Sequence, residues 1–355
     1  MATLLFSPLC LRELEFKNRI FVSPMCQYSC IDGMPTDWHL VHLGSRAVGG
    51  AGLVMVEATA VVPEGRISPN DTGIWSDGHV AAFQRIAAFI SAQGSVPGLQ
   101  IAHAGRKAST DRPWQGGTPL KPGNGGWQPL APSAIPFAAD FNAPRELSPD
   151  EIGGLVERFA EAAKRALTAG FKVIEIHMAH GYLLHSFLSP LSNLRTDEFG
   201  ADFEGRARFP LQVAKAVRDA WPASLPVFVR ISATDWVEGG WDLSQSVRYC
   251  HKLREIGIDM IDCSSGGLAA DAKIPVAPGF QVPFAAAIRR EVKIPTAAVG
   301  LITNPQQAEQ TLVCGDADAI FLARQMLRDP YWPLHAAQAL GEDVPWPDPY
   351  ARAKQ

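Results

Sequence analysis

Eight short runs rich in Val, Ile, Leu and Phe recur along the chain, and a longer stretch with helical spacing follows nearly every one. The runs are Arg19–Met25, Gly52–Ala60, Val96–Ala102, Phe171–Ile176, Val227–Ser232, Asp259–Ser264, Thr296–Gly300 and Ala319–Ala323. Apolar runs bounded by turn residues read as strands buried on both faces, the pattern of a parallel sheet covered by helices. The intervening helices are expected near Trp38–Val48, Gly78–Gln93, Gly205–Trp221, Leu243–Ile256, Gln281–Val292 and Pro305–Cys314, with Gly94 and Gly257 as closing glycines. Another opens at Ser148-Pro149-Asp150-Glu151, an N-cap serine, a first-turn proline and the reciprocal capping glutamate, and ends at Gly170. Eight strand–helix units with no second core predict an α/β fold, a single (β/α)8 TIM barrel over residues 1–355. A doubly wound sheet is the alternative. It wants a G-x-G-x-x-G turn after the first strand, where this chain has Ser23-Pro24-Met25-Cys26.

After the third strand comes an excursion, residues 106–147, rich in Gly, Pro, Ser and Trp. It is too long for a simple strand-to-helix connection and reads as a functional loop over one face of the domain. A formal net charge of −4 without a basic patch gives no reason to expect nucleic acid. No apolar run approaches the ~18 residues of a membrane helix. Leu4, Leu5 and Phe6 are interrupted by Pro8, Arg12 and Glu13, which is not a signal-peptide pattern. Cys10, Cys26, Cys30, Cys250, Cys263 and Cys314 follow no disulfide rhythm, as expected of reduced thiols in a cytoplasmic protein.

In a barrel of this kind chemistry sits at the C-terminal ends of the strands. Those ends supply Met25, Cys26 and Tyr28, then Glu57 and Ala58, then Gln100, His103, Arg106 and Lys107. The fourth gives His177, His180 and Tyr182, the fifth Arg230, the sixth Ser264 and Ser265, the seventh Gly300 and the eighth Arg324. Two histidines at i and i+3, one turn apart if the backbone coils, can converge on one oxygen, and a tyrosine beside them adds a weak acid. The plain alternative is a pair of satisfied histidines capping a strand; a metal pair lacks a third ligand at a familiar spacing. Gly300 and Arg324 lie where barrels often hold a phosphate. Lys107 reads as a loop-ordering or solvated charge rather than a Schiff-base lysine.

Together these residues resemble the old yellow enzymes, flavin-dependent ene-reductases, and most of all the bacterial branch with xenobiotic reductases and thermophilic-like members. The resemblance runs end to end. It is carried by Ser23 to Tyr28, Ile101 to Lys107, His177 to Tyr182, Leu188-Ser189-Pro190, Arg195-Thr196-Asp197-Glu198, Val229 to Ser232 and Asp262 to Gly266. It implies non-covalent FMN at the barrel mouth, with NADPH or NADH as hydride donor. Ser23, Pro24, Met25, Cys26 and Ala58 would lie along the isoalloxazine, Gln100 at its pyrimidine edge and Arg230 near N1 and O2. Gly300, Ala323 and Arg324 would hold the phosphate, Ala323 standing where a glycine is common. Cys26 would face the flavin as a weak donor; its alternative is a small buried apolar residue.

The implied activity is reduction of activated C=C bonds in enone-type substrates. His177 and His180 would hold the carbonyl oxygen, Tyr182 would protonate the α-carbon, and Tyr28, with Trp114 and Trp127 from the excursion, would shape the pocket. A flavin-free phosphate-binding isomerase or aldolase barrel and a non-catalytic barrel are the rival readings. The proline-rich end, residues 345–355, carries Trp346, Tyr350 and Arg352. By the resemblance it belongs at the interface of a homodimer or homotetramer, with Arg352 lining the partner's pocket; by composition alone it is a solvated tail.

Overall fold

The computed structural model describes residues 3–354. Its centre is a closed barrel of eight parallel strands: β1 (Ile20–Val22), β2 (Leu53–Ala60), β3 (Val96–Ala102), β4 (Val173–Met178), β5 (Val227–Ser232), β6 (Met260–Ser264), β7 (Thr296–Ala298) and β8 (Ala319–Leu322). Each strand pairs with the next in sequence, and β8 closes on β1. The helices are α1 (Asp37–Val48), α2 (Val80–Ala92), α3 (Pro149–Thr168), α4 (Leu183–Leu188), α5 (Phe203–Ala220), α6 (Leu243–Ile256), α7 (Val282–Val292), α8 (Pro305–Val313), α9 (Arg324–Arg328) and α10 (Trp332–Leu340). Every strand position is buried, as a sheet covered on both faces requires.

Strand boundaries are tighter than the sequence suggests at β1, β7 and β8, since Pro24 has no N–H to offer a ladder and Gly300 turns the chain at φ +118°. β4 runs further than expected and includes His177, because its ladder to β5 continues through His177 opposite Arg230 and Met178 opposite Ile231. The serine cap of α3 forms as read: Ser148 Oγ accepts Glu151 N–H at 3.3 Å while Glu151 accepts Ser148 N–H at 2.8 Å. Gly257 ends α6 in the left-handed region at φ +95°.

Three features had no sequence signal. A hairpin, Leu9–Leu11 with Leu14–Phe16, plugs the N-terminal end of the barrel. Its Leu11 and Phe16 pack on Phe21, Phe228 and Phe321 inside. The six-residue α4 follows β4 after a short turn, residues 179–182. Within the excursion, Leu130–Ala131 pairs with Arg145–Glu146 as a separate two-stranded piece.

Candidate active site

A strand sends alternate side chains inward, and that alternation stacks the barrel interior in layers. On β4 the alternating residues are Val173, Glu175 and His177; on β5 Phe228, Arg230 and Ser232; on β6 Met260, Asp262 and Ser264. The apolar members join the plug at the bottom. The charged members form a layer above it, and the imidazole and hydroxyls reach the mouth. In the charged layer Gln100 Nε2 donates to Glu175 Oε1 at 2.7 Å. Arg230 Nε lies 3.0 Å from Asp262 Oδ2, off the axis of a hydrogen bond, so that both Asp262 oxygens stay without a donor. Burial, then the neighbouring Asp262, push the Glu175 carboxyl up to about 8. Burial raises Asp262 to about 6 against the pull of Arg230. Two buried carboxyls share one guanidinium, and a proton on Glu175 keeps the layer near neutral.

The sequence reading gave Glu175 and Asp262 no role in the site because it placed both inside buried strands and took site residues from the strand ends. The signal was present. Counting back by two from His177 reaches Glu175, and counting back by two from Ser264 reaches Asp262.

Above this layer the HxxHGY stretch brings its three rings together, though by a left-handed turn rather than by the helical coil expected. His180 and Gly181 have φ +60° and +74°. A non-glycine residue in this region is strained and persists only where its surroundings over-determine it. They do so here. Ser232 Oγ accepts His180 N–H at 2.9 Å, Lys107 Nζ donates to His180 O at 2.9 Å, and a Cβ on Gly181 would lie 2.3 Å from Gly267 O. The His177 ring stands 5.2 Å from His180 and 5.0 Å from Tyr182, centre to centre. His177 Nδ1 is buried without a hydrogen-bond partner in the chain. His180 Nε2 meets Ser264 Oγ at 2.7 Å. Burial, then Arg230, hold both imidazoles well below the usual histidine range, so both are neutral. Burial, then Cys26, raise the Tyr182 phenol well above its ordinary value, so it carries its proton. Lys107 is therefore loop-ordering: its Nζ bridges His180 O and Gly267 O, both at 2.9 Å.

At the end of β2, Glu57 Oε2 accepts Gln27 N–H at 2.8 Å, and Glu57 Oε1 takes His39 Nε2 at 3.0 Å. This buried pair fixes the backbone between Cys26 and Tyr28, and its His39 partner was missed because it comes from α1. Cys26 is half-buried, and desolvation followed by the Glu57 charge keep its thiol protonated, which fits a weak donor better than a nucleophile. Tyr28, at φ +50°, packs edge-on against Trp114 with ring centres 5.8 Å apart. Trp127 donates to Glu64 O at 2.8 Å and lies under Arg66.

Of the residues expected to hold FMN, Arg230, Gly300, Ala323 and Arg324 line one cavity of about 230 Å³, together with Ser264, Gln281 and Arg328. Their chemistry fits the group. Two arginines suit a dianion. Gly300 has no room for a side chain, since a Cβ would fall 2.8 Å from Gln281 Nε2. Ser23 Oγ is buried without a partner. Ala323 has a negative φ of −103° with ψ −96°, so its backbone does not require the glycine that is common at this position. Ser23, Met25, Cys26, Ala58 and Gln100 come from the ends of the adjoining strands β1 to β3 and from the loops after them. A larger cavity of about 740 Å³, lined by Val156, Arg208 and Lys215, lies on the outer helices and away from all strand ends. Arg352 is not brought to this site. It is exposed in the final turn, Asp348–Ala353, whose Tyr350 packs on Tyr331 with ring centres 6.1 Å apart. Among the described residues no group of three His, Cys, Asp or Glu side chains could hold a metal ion, and no helix is long and apolar enough to cross a membrane.

The sequence profile of the NADH:flavin oxidoreductase / NADH oxidase family matches residues 4–343. An NADPH dehydrogenase of Geobacillus sp. (strain WCH70) is 48% identical over 346 residues, 97% of this chain and 96% of that protein. Among solved structures, morphinone reductase superposes with a TM-score of 0.79 at 28% identity, covering 98% of this chain and 92% of that one. A 2-naphthoyl-CoA reductase superposes with a TM-score of 0.86 at 25% identity over 96% of this chain but only 52% of its own length. The chain belongs to the NADH:flavin oxidoreductase / NADH oxidase family and is an FMN-dependent NAD(P)H oxidoreductase of old yellow enzyme type.

Proposed function

We propose that this enzyme reduces the activated C=C bond of α,β-unsaturated carbonyl compounds. The observation that supports it is the clustering of His177, His180 and a protonated Tyr182 around one point of the barrel mouth, above the Arg230 layer. Bound FMN supplies hydride transfer, from NAD(P)H to the acceptor. Ser23, Pro24, Met25, Cys26, Ala58, Gln100 and Arg230 would hold its ring system, with Gly300, Ala323 and Arg324 on its phosphate. His177 and His180, as neutral donors, bind the substrate carbonyl oxygen and stabilise the charge that develops on it as the β-carbon is reduced. A neutral imidazole donates one proton, so Ser264 decides which nitrogen of His180 carries it. Tyr182 delivers its proton to the α-carbon. Tyr28 bounds the substrate space, and Arg352 of a second copy completes it in a homodimer or a pair of homodimers.

Tyr182→Phe tests the reading. Reduction of the oxidised protein by NADPH stays within about twofold of wild type, because that half-reaction needs no proton from Tyr182. Re-oxidation by 2-cyclohexenone falls by about 10²-fold, the usual size of a general-acid contribution. Equal slowing of both halves overturns the assignment of Tyr182 as the donor.

A further inference from the structure

The turn that carries His180 and Tyr182 has a buried support that the reaction scheme does not use. His185, on the first turn of α4, folds back so that its Nδ1 accepts Gly181 N–H at 2.9 Å. Its Nε2 lies 3.0 Å from Asp235 Oδ1, an ion-pair distance off the axis of a hydrogen bond, and neither atom has a hydrogen-bond partner elsewhere. Both residues are fully buried. The other Asp235 oxygen accepts Ser189 Oγ–H at 2.6 Å and Trp241 N–H at 2.8 Å, which fixes the carboxylate from two further segments. Gly181 N–H can only donate, so His185 Nδ1 is bare and Nε2 carries the proton toward Asp235. Burial works against the Asp235 charge, but the His185 contact together with Ser189 and Trp241 leave its carboxyl below its ordinary value.

Gly181 lies between the histidine and the tyrosine of the site. His180 N–H is held by Ser232 and His180 O by Lys107. Without His185, Gly181 N–H would be a buried donor lacking a partner, in a turn already strained at His180, φ +60°. We infer that His185 and Asp235 form a positioning pair for the catalytic turn, with Asp235 orienting His185 and His185 holding the Gly181 amide so that His180 and Tyr182 face the substrate. The inference rests on the reading of His180 and Tyr182 as substrate-facing groups.

The test uses the FMN-bound protein and three substitutions. His185→Asn keeps an acceptor near the Nδ1 position, His185→Gln keeps a donor toward Asp235 but loses that acceptor, and His185→Phe loses both. Gly181 amide exchange should speed up at least tenfold in the Gln and Phe variants. Their re-oxidation by 2-cyclohexenone should slow at least tenfold more than their reduction by NADPH, while the Asn variant stays within about threefold of wild type in both readouts. Imidazole ¹⁵N spectra of the wild type should show His185 protonated on Nε2. If His185→Phe does not fold, the Asn and Gln pair carries the comparison. A Gln variant that equals or surpasses the Asn variant overturns the inference, as does a proton on Nδ1. If Tyr182→Phe leaves re-oxidation unchanged, the proton-donor reading fails by itself. The pair is then judged on Gly181 exchange and on the affinity for a phenolate, whose oxygen takes the place of the substrate carbonyl oxygen against His180; wild-type values of both in His185→Phe overturn it.

Discussion

Tyr182 and Glu175 each hold a proton against the bulk pH, for different reasons and with different consequences. Burial, then the neighbouring Cys26, raise Tyr182, so no part of the ordinary working range deprotonates it. Re-oxidation by an enone should therefore stay flat with pH through at least ~9, where an unperturbed tyrosine would begin to lose its proton; a stopped-flow profile that falls between pH 7 and 9 contradicts this. Glu175 is raised to about 8 from the ordinary carboxylate range near 4.5. The folded state thus binds a proton that the unfolded chain has released, and stability falls as pH rises through that window. Glu175→Gln removes the ionisation while keeping an amide for Gln100. Its melting temperature should decline less between pH 5 and pH 8 than that of the wild type. Parallel declines would show that Glu175 is ionised in the fold.

Elements place these residues with very different margins. β4 and β5 hold Glu175, His177 and Arg230 by ladder register alone, and strand register is difficult to perturb when both faces are buried. The His180–Gly181 turn is held instead by single contacts from Ser232, Lys107 and His185, each from a different segment. α3, on the outside of the barrel, contributes to neither. Ser148→Ala breaks the reciprocal cap of α3 and should lower stability by about 0.5–2 kcal/mol. Chemical denaturation measures that loss. Both half-reactions should keep wild-type rates, because α3 contributes nothing to the mouth; a kinetic defect would tie α3 to the site.

In the whole molecule the C-terminal segment is set apart from its own active site. Trp346 and Pro347 line a cavity with Asn18, Gly50 and Gly94, all of which precede strands, so the segment lies near the closed end of the barrel. Lys354 Nζ donates back to Val344 O at 3.0 Å, and Arg352 pairs with nothing among the described residues. An arginine placed this way can line a pocket only if the pocket belongs to another copy. Deleting residues 345–355 should leave FMN bound, raise KM for bulky acceptors several-fold and weaken self-association, as read by light scattering. Unchanged mass and kinetics would leave the segment a solvated tail.

The barrel was legible in the sequence because its determinants are local and repeat: eight apolar runs, the serine cap at Ser148 and the closing glycine at Gly257 each specify their element without help from afar. The residues of the mouth were legible for the same reason, since a barrel gathers strand ends whatever their order. The tertiary structure alone decided three things. The left-handed turn at His180 exists because Ser232, Lys107 and Gly267 hold it from other segments. The ionisation of Glu175 depends on Asp262 and Arg230, from strands 55 or more residues away. The clamp on Gly181 needs Asp235, brought to His185 across the β5–α6 loop. In each case the deciding partner is distant in sequence, and hydrogen bonds and desolvation act at contact distance, so only the folded chain contains the information.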